Sequence, residues 1–241
     1  MSHTIESINP ADPIGQIVRH HPSTSRVFEA YGIDYCCGGG KKLDEVCYEK
    51  KVDLTRISEE LAEAMTQTAD TDVDVDAMSL TELVDHIEST HHAYLNRELP
   101  RLTGLIAKVV NAHGDRDLRL SVVLSQFADF ASELHTHMRK EEQVLFPMIR
   151  RLENSTPNEL PETLSIQWPI SVMESEHRSA GESLDFLRSL MDDFTPPTWA
   201  CNTYRAMVDG LKDLEHDMHT HVHAENNVLF PKALKLEATR V

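Results

Sequence analysis

A thirteen-residue segment occurs twice in this chain, and the repeat restricts the folds that the sequence can adopt. HTHMRKEEQVLFP begins at His135, and HTHVHAENNVLFP begins at His219, 84 residues later. Self-similarity of this kind indicates a duplicated structural unit. Each copy contains a histidine and a glutamate four residues apart, and in an α-helix two such side chains leave the same face one turn apart. The sequence therefore predicts two equivalent helices, each with a polar pair on one face.

The two polar pairs are His137 with Glu141 and His221 with Glu225. One such pair alone is explained as well by an exposed hydrogen bond between neighbouring turns. Here both pairs lie on apolar stripes, formed by Phe130, Leu134, Val144 and Met148 in the first helix and by Leu214, Met218 and Val228 in the second. Unpaired carboxylates and imidazoles in a core cost on the order of several kcal/mol. Metal coordination would compensate that cost, so the pairs are predicted to be metal ligands.

Two further histidines are predicted to complete the site. If a helix pair is duplicated, the preceding helices must also match, and the apolar stripe of the third helix contains His177 in its middle. A shift of 85 residues places His92 at this position. The neighbouring His91 is the poorer choice because polar residues would follow it on the same face. The predicted ligand set is therefore His92, His137, Glu141, His177, His221 and Glu225.

The donor types indicate which metal such a site would hold. If both glutamates bridge, each of two metal ions receives two nitrogens and two carboxylate oxygens, and each helix pair forms one half-site for one metal. Imidazole with carboxylate suits iron or manganese, whereas structural zinc and copper(I) favour thiolates. We therefore expect a di-iron site, with manganese and zinc as alternatives that ligand type leaves open.

The rest of the sequence predicts an all-α protein in two parts. Hydrophobic residues make up 40% of the chain but aromatic residues only 6%, which favours helices over strands. An Asp-rich segment at 66–78 has no helical stripe and is interpreted as an acidic linker. Before it, residues 1–65 form a predicted small domain with helical patterns at 13–20, 23–31, 41–50 and 54–65. After it, residues 79–241 contain long patterns at 79–112, 117–152, 168–194 and 199–237, which predict an up-down four-helix bundle.

Charge and hydropathy exclude two classes of partner. The formal net charge of −17 would repel nucleic acid and anionic lipid, both of which bind proteins chiefly through Lys and Arg clusters. No apolar run approaches the roughly 20 residues of a membrane span, and the N-terminus lacks the basic and apolar regions of a signal peptide. We therefore expect a cytoplasmic protein without nucleic-acid or membrane partners.

Other polar residues of the two repeated helices carry weaker signals. Glu133 and Asp217 are equivalent, each one turn before a predicted ligand histidine, where a carboxylate can orient the imidazole. An exposed helix charge is the alternative for both. His216, His219 and His223 form a row on the far side of their helix from the predicted ligand, and they are predicted to be a solvated face.

Four segments give the chain a resemblance to a known family. They are YGIDYCCGGGKKL at 31–43, HMRKEEQVLFPMI at 137–149, ISVMESEHRSAGE at 170–182 and HAENNVLFPKAL at 223–234. Together they resemble the iron-sulfur cluster repair di-iron proteins, which join a small cysteine-bearing N-terminal domain to a hemerythrin-like bundle. The resemblance covers nearly the whole chain. It implies the same six ligands, with both glutamates bridging, and two non-haem iron ions per chain with an oxo or hydroxo bridge.

The resemblance also implies a function. By this resemblance, the chain is a di-iron protein that helps repair iron-sulfur clusters damaged by nitrosative or oxidative stress. It would do so by supplying iron or electrons to damaged or apo iron-sulfur proteins. The alternative is a hemerythrin-like protein that binds, reduces or senses nitric oxide or oxygen. Whether the protein is an enzyme and whether it forms a homodimer are left open.

The sequence departs from respiratory hemerythrin, which resembles it in fold. That protein has a second histidine one turn from the ligand on its third helix, whereas Met173 and Gly181 stand at those positions here. Fewer protein ligands imply a more open coordination. We therefore expect reactive or releasable iron rather than simple oxygen storage.

The four cysteines fall into two classes. By the resemblance, Cys36 and Cys37 are the paired cysteines of the N-terminal domain. They precede three glycines and a helix predicted to begin near Lys41, so a helix N-terminus is expected to stabilise a thiolate. They are candidates for redox chemistry or iron transfer, with inert thiols as the alternative. Cys47 and Cys201 have no such setting and are predicted to be structural.

Overall fold

Most of the residues that the structure describes are helical, and turns and short loops connect the helices. The computed structural model describes residues 8–66, 74–156 and 165–239. Within these ranges the only extended pairing is one antiparallel bridge between Pro13 and Lys42. The predicted all-α fold is confirmed. The predicted linker lies partly outside the described residues, and the boundaries of the two predicted domains remain predictions.

Four short helices form the N-terminal part. They are α1 (Ile14–His20), α2 (Ser25–Ala30), α3 (Leu43–Lys50) and α4 (Leu54–Thr66), with a 3-10 turn at Pro22–Thr24. Each helix contributes apolar side chains to a common core, in which Phe28, Leu43 and Leu61 are completely buried. The four short helical patterns of the sequence are therefore present as helices.

Four long helical rods form the bundle. The first consists of α5 (Leu80–Ile87) and α6 (Ala93–His113), the second of α7 (Arg119–Lys140) and α8 (Phe146–Asn154), the third of α9 (Gln167–Leu190), and the fourth of α10 (Asn202–His223) and α11 (Phe230–Ala238). α6 packs against α7 and α10, and α7 packs against α9. This neighbour order is that of an up-down four-helix bundle, as predicted. None of the described helices is both long and apolar enough to cross a membrane.

Three of the four rods are interrupted by a π-helical turn, which the sequence patterns did not predict. The turns are Glu88–His92, Glu141–Leu145 and Ala224–Leu229. The last two end at the leucines of the LFP motifs, two residues before Pro147 and Pro231. A proline inside a helix has no N–H to donate, and its ring clashes with the carbonyl four residues earlier, so a wider turn accommodates it. Each turn contains one predicted metal ligand, which places the irregular backbone at the candidate site.

The core has two apolar layers with the candidate site between them. Phe127 belongs to one layer, whereas Phe146 and Phe230 of the two LFP motifs belong to the other. Phe146 stacks on the ring of His92, with 5.6 Å between ring centroids, and Phe230 stacks on His177 at 6.1 Å. Burial of each phenylalanine stabilises the fold by about 1.5–3 kcal/mol. The repeated phenylalanines therefore fix the positions of two predicted ligands.

The N-terminal helices pack on the outer face of α10. Glu29 on α2 binds His216, with 2.8 Å between Oε1 and Nδ1, and the Tyr35 hydroxyl donates to the same oxygen at 3.0 Å. The Tyr35 ring contacts His219 and His223 edge to face, at centroid distances of 5.9 and 5.5 Å. The predicted solvated face is therefore wrong. The row does point away from the bundle core, but the N-terminal part covers it.

Replacing Glu29 with glutamine is expected to lower the free energy of unfolding at pH 7 by about 1–2 kcal/mol, after allowance for solvent screening. Burial alone would raise the pKa of Glu29, but hydrogen bonds from His216, His219 and Tyr35 outweigh it and lower the pKa from 4.5 to about 2. A depressed pKa stabilises the fold above pH 4.5, and this contribution is lost as pH falls towards 2. Urea denaturation at pH 7 and pH 3 measures the difference, which should shrink at the lower pH. The exposed Glu63→Gln is the control, and an equal loss of stability in both variants would contradict the assignment.

Candidate metal centre

The six predicted ligands meet in the middle of the bundle. All are buried, and each exposes 4% or less of its surface. They form two groups in which the potential ligand atoms lie within 4.8 Å of one another. The first group consists of His92, Glu141, His221 and Glu225, and the second consists of His137, Glu141, His177 and Glu225.

Each group takes one histidine from each copy of the repeat. His92 and His221 share one group, and His137 and His177 share the other. The prediction that each helix pair supplies its own half-site is therefore wrong. α6 lies beside α7 as well as α10, but the side chains of His92 and His221 converge, as do those of His137 and His177, so the histidines that meet come from different pairs.

The two glutamates belong to both groups. Oε2 of Glu141 lies 3.4 Å from Nε2 of His92 and 3.3 Å from Nε2 of His137. Glu225 makes the equivalent contacts, at 3.1 and 3.0 Å, with one histidine of each group. These positions fit the predicted bridging role of both carboxylates.

Several buried atoms of the centre have no hydrogen-bond partner in the described part of the chain. They include both carboxylate oxygens of Glu141, Oε2 of Glu225 and Nε2 of His92. A buried polar atom without a partner costs roughly 1–3 kcal/mol, and more when it is charged. Cations between the two groups would satisfy these atoms, and nitrogen with carboxylate oxygen suits iron or manganese. The residues present therefore fit a pair of metal ions.

Charge within the centre also favours cation binding. Burial alone would raise the pKa of Glu225, but His221 and His177 outweigh it and lower the pKa well below its usual range. Burial likewise disfavours a charged His137, yet Glu141 and Glu225 raise its pKa to about 9. The carboxylates thus attract positive charge into the core. A proton and a metal ion compete for the same imidazole.

Three of the four histidines are oriented by a second polar residue. The Nδ1 atoms of His92, His137 and His177 each lie 2.9 Å from a side-chain oxygen, of Glu142, Glu176 and Asn226 respectively. A partner at Nδ1 leaves Nε2 directed at the centre, as in metal-binding histidines generally. Sequence reasoning missed these partners. A signal was present, because Glu142 and Asn226 are equivalent in the repeat and each follows a predicted bridging glutamate.

The predicted partners Glu133 and Asp217 do not contact the ligand histidines expected for them. The Glu133 side chain is exposed, and the Nδ1 position of the neighbouring histidine is taken by Glu176. Asp217 binds Nδ1 of His91 at 2.9 Å. His91 in turn stacks on His221 with 5.1 Å between centroids and an angle of 4° between the rings. His91 is thus buried beside the centre but does not belong to either group, in agreement with the choice of His92.

The centre adjoins a cavity on the side of the third rod. The cavity has a volume of about 410 Å³, and His177, Gly181, Cys36 and Cys37 are among the residues that line it. A β-carbon at Gly181 would meet no atom within 4 Å, and Met173 is buried. The wall beside His177 is therefore open where a larger side chain would close it. Open coordination at the metal itself remains a prediction.

The paired cysteines lie in a loop that Asp34 organises. The Asp34 carboxylate accepts hydrogen bonds from the backbone N–H groups of Cys36, Cys37 and Gly38, at 2.9–3.1 Å, and lies 3.1 Å from Sγ of Cys36. The neighbouring Cys37 thiol, burial and the Asp34 charge raise the pKa of Cys36 well above its usual value. The expectation of a thiolate stabilised by a helix N-terminus is therefore wrong for Cys36. The following helix begins only at Leu43, seven residues after Cys36.

The two remaining cysteines differ from each other. Cys47 is buried in the N-terminal core, in agreement with a structural role. Cys201 is exposed, and its sulfur lies 3.2 Å from Nε2 of His113. This contact and the first amides of α10 lower the pKa of Cys201 to about 7. The sequence did not show this partner, which lies 88 residues away, and the structural role of Cys201 stays a prediction.

Two family models match the chain. Residues 10–65 match a family described as a domain of unknown function, DUF542, and residues 83–233 match the hemerythrin HHE cation binding domain. The bundle and its buried histidine and glutamate groups are thus those of a hemerythrin-type cation-binding protein.

Relatives define the family more narrowly. The iron-sulfur cluster repair protein YtfE of Enterobacter sp. (strain 638) is 38% identical over 222 residues, which cover 92% of this chain and 96% of the relative. The iron-sulfur cluster repair protein YtfE of Shigella boydii serotype 4 is 37% identical with the same coverage. The chain belongs to the family of iron-sulfur cluster repair proteins, as the resemblance in sequence implied.

Proposed function

We propose that this protein binds two iron ions in its bundle and helps to repair iron-sulfur clusters damaged by nitrosative or oxidative stress. The observation that carries the proposal is that two buried histidine pairs share both Glu141 and Glu225. The relatives bear the name of iron-sulfur cluster repair proteins, and the bundle matches a cation-binding domain. Damaged or apo iron-sulfur proteins are the proposed recipients of iron or electrons.

Some side chains of the centre would hold the metal ions, and others orient the histidines that bind them. The two histidine pairs and the two glutamates would hold the ions, which supply releasable ferrous iron and electrons when bound. Glu142, Glu176 and Asn226 keep the imidazoles aimed at the ions through their Nδ1 atoms. Phe146 and Phe230 cover the inner side of the centre with apolar surface. Two cavities reach the His137 and His177 side of the centre, and the one that also contacts Cys36 and Cys37 is the proposed route for iron.

The position of Cys36 and Cys37 supports a part for them in transfer. Both line the cavity that also contacts His177, and Cys37 is partly exposed. Cysteine sulfur binds iron as the thiolate, so the pair offers new ligands to an ion that leaves the centre and displaces the thiol proton. We propose that iron passes from the centre to a recipient on this side of the bundle.

Transfer of labelled iron tests this function. The protein is loaded with 57Fe and mixed with an apo iron-sulfur protein in the presence of sulfide and a thiol reductant. We expect 57Fe in the clusters of the separated recipient, and a several-fold slower transfer with Cys36→Ser plus Cys37→Ser. Cys201→Ser, at an exposed thiol in contact with His113, should transfer iron like the unchanged protein. Absence of 57Fe from the recipient would contradict the proposal.

A second candidate function is action on a diatomic gas, favoured by the open wall at Gly181. A small molecule could reach the His177 side of the centre through the cavity. This function predicts catalytic loss of nitric oxide in the presence of a reductant, at a rate that does not depend on any recipient protein. Iron transfer without such loss would favour repair.

A further inference from the structure

Two neighbouring asparagines join the cysteine loop to the ligand-bearing rod. Asn226 Oδ1 accepts from Nδ1 of His177 at 2.9 Å, and Asn226 Nδ2 donates to the Cys36 carbonyl oxygen at 3.5 Å and lies 4.0 Å from Sγ of Cys37. Asn227 Nδ2 donates to the same carbonyl at 3.0 Å. A single amide group therefore contacts both a predicted metal ligand and the cysteine loop.

The first copy of the repeat has a different arrangement at the same place. Its equivalent residues are Glu142 and Gln143, and Glu142 holds His92 at 2.9 Å while 40% of its side chain is exposed. A carboxylate can only accept, whereas an amide accepts with one atom and donates with the other. Asparagine at 226 thus keeps the acceptor that the histidine needs and adds a donor that faces the cysteine loop. The two copies of the repeat therefore differ at this position because the cysteine loop packs against only one of them.

Glycine permits the loop to approach this closely. A β-carbon at Gly39 would lie 2.6 Å from Asn227 Oδ1 and 2.6 Å from the Tyr35 carbonyl oxygen. Such distances are far inside van der Waals contact, so an alanine there must displace the loop. At the adjacent Gly40 a β-carbon would meet nothing within 4 Å. The chain therefore offers a matched pair of substitutions, one that moves the loop and one that does not.

We propose that Asn226 is a positioning residue that couples the cysteine loop to the His137 and His177 side of the metal centre. When the loop is in place, its carbonyl and thiol sulfur hold the amide in the orientation that accepts from His177. When the Cys37 thiolate attacks an alkyl halide, an S–C bond forms, the halide leaves, and the added group displaces the loop. The amide then loses this support and His177 loses its fixed orientation. The state of the cysteine pair thereby sets how firmly the centre holds iron. The effect on iron rests on the proposed function, whereas the coupling itself does not.

The coupling is tested first in the metal-free protein. Histidine labelled with 15N reports the Nδ1–H resonance of His177, which His177→Gln identifies by its loss. Alkylation of Cys37 by iodoacetamide, in a Cys201→Ser background, is expected to shift this resonance. The shift should be absent in Asn226→Asp, which keeps the acceptor but not the donor. Gly39→Ala should shift the resonance without alkylation, and Gly40→Ala should not.

Iron release then measures the consequence. Alkylation is expected to accelerate loss of ferrous iron to a chelator by about tenfold, the lower end of what loss of an outer hydrogen bond to a metal ligand produces. Asn226→Asp should show the same rate before and after alkylation. A His177 resonance that does not respond to alkylation, or that responds equally in Asn226→Asp, would overturn the inference. A protein that shows the coupling but does not load two irons would contradict the proposed function alone.

Discussion

Replacing Glu141 with leucine is expected to abolish the binding of two metal ions while the bundle still folds. Glu141 belongs to both groups, so the substitution removes a carboxylate oxygen from each. Loss of a ligand should weaken binding by more than the roughly 10–100-fold that loss of an outer hydrogen bond causes. The fold should persist because the flanking apolar residues of α7 and α8, such as Leu134 and Phe146, remain buried. Metal content by atomic emission and helicity by circular dichroism measure the two effects.

The matched control for this substitution lies on the same rod of the bundle, in α7. Glu133 has an exposed side chain and contacts no predicted ligand, so Glu133→Leu should keep two metals per chain. A normal metal content in Glu141→Leu would show that the predicted ligand set is wrong. Loss of helicity in that variant would instead show that the carboxylate is needed for folding.

Removal of the metal is expected to lower the midpoint of thermal unfolding by about 8–16 °C. An ion present at about 1,000 times its dissociation constant stabilises the folded state by about 4 kcal/mol, and each kcal/mol moves the midpoint of a chain of this size by about 2–4 °C. The structural reason is the set of buried atoms at Glu141, Glu225 and His92 that have no partner among the described residues. Calorimetry before and after dialysis against a chelator measures the shift.

The Glu141→Leu protein is also the control for this experiment. Because it is expected to bind no metal pair, the chelator should leave its unfolding midpoint unchanged. An unchanged midpoint in the natural sequence as well would contradict a stabilising metal centre. It would also mean that the buried carboxylates are satisfied in another way.

The metal centre could be predicted from the sequence as far as its ligands recur in the two copies of the repeat. His137 and Glu141 recur as His221 and Glu225 on apolar stripes, and two equivalent polar pairs in a core have few explanations other than metal. The remaining histidines followed from nearly the same offset, 85 residues in place of 84. The helices were predictable for a similar reason, since long apolar stripes of helical period separated by Gly, Pro and Asn breaks leave little choice of fold.

The features of the centre that the sequence did not predict are those that depend on which helices lie next to each other. The pairing of His92 with His221 requires α6 to lie beside α10, and no periodicity within one helix contains that information. The partnership of His137 with Glu176 also crosses helices. The row of histidines on α10 was expected to be solvated because helical periodicity shows only which side faces the bundle. It does not show that the N-terminal part covers the other side.

The proposed function depends above all on two iron ions held by the shared glutamates. Metal analysis combined with Mössbauer spectroscopy of the protein purified from cells grown on 57Fe tests it most directly. We expect two irons per chain in non-haem sites with nitrogen and oxygen ligands, magnetically coupled through the carboxylates of Glu141 and Glu225. One metal per chain, uncoupled iron, or zinc or manganese in place of iron would contradict it.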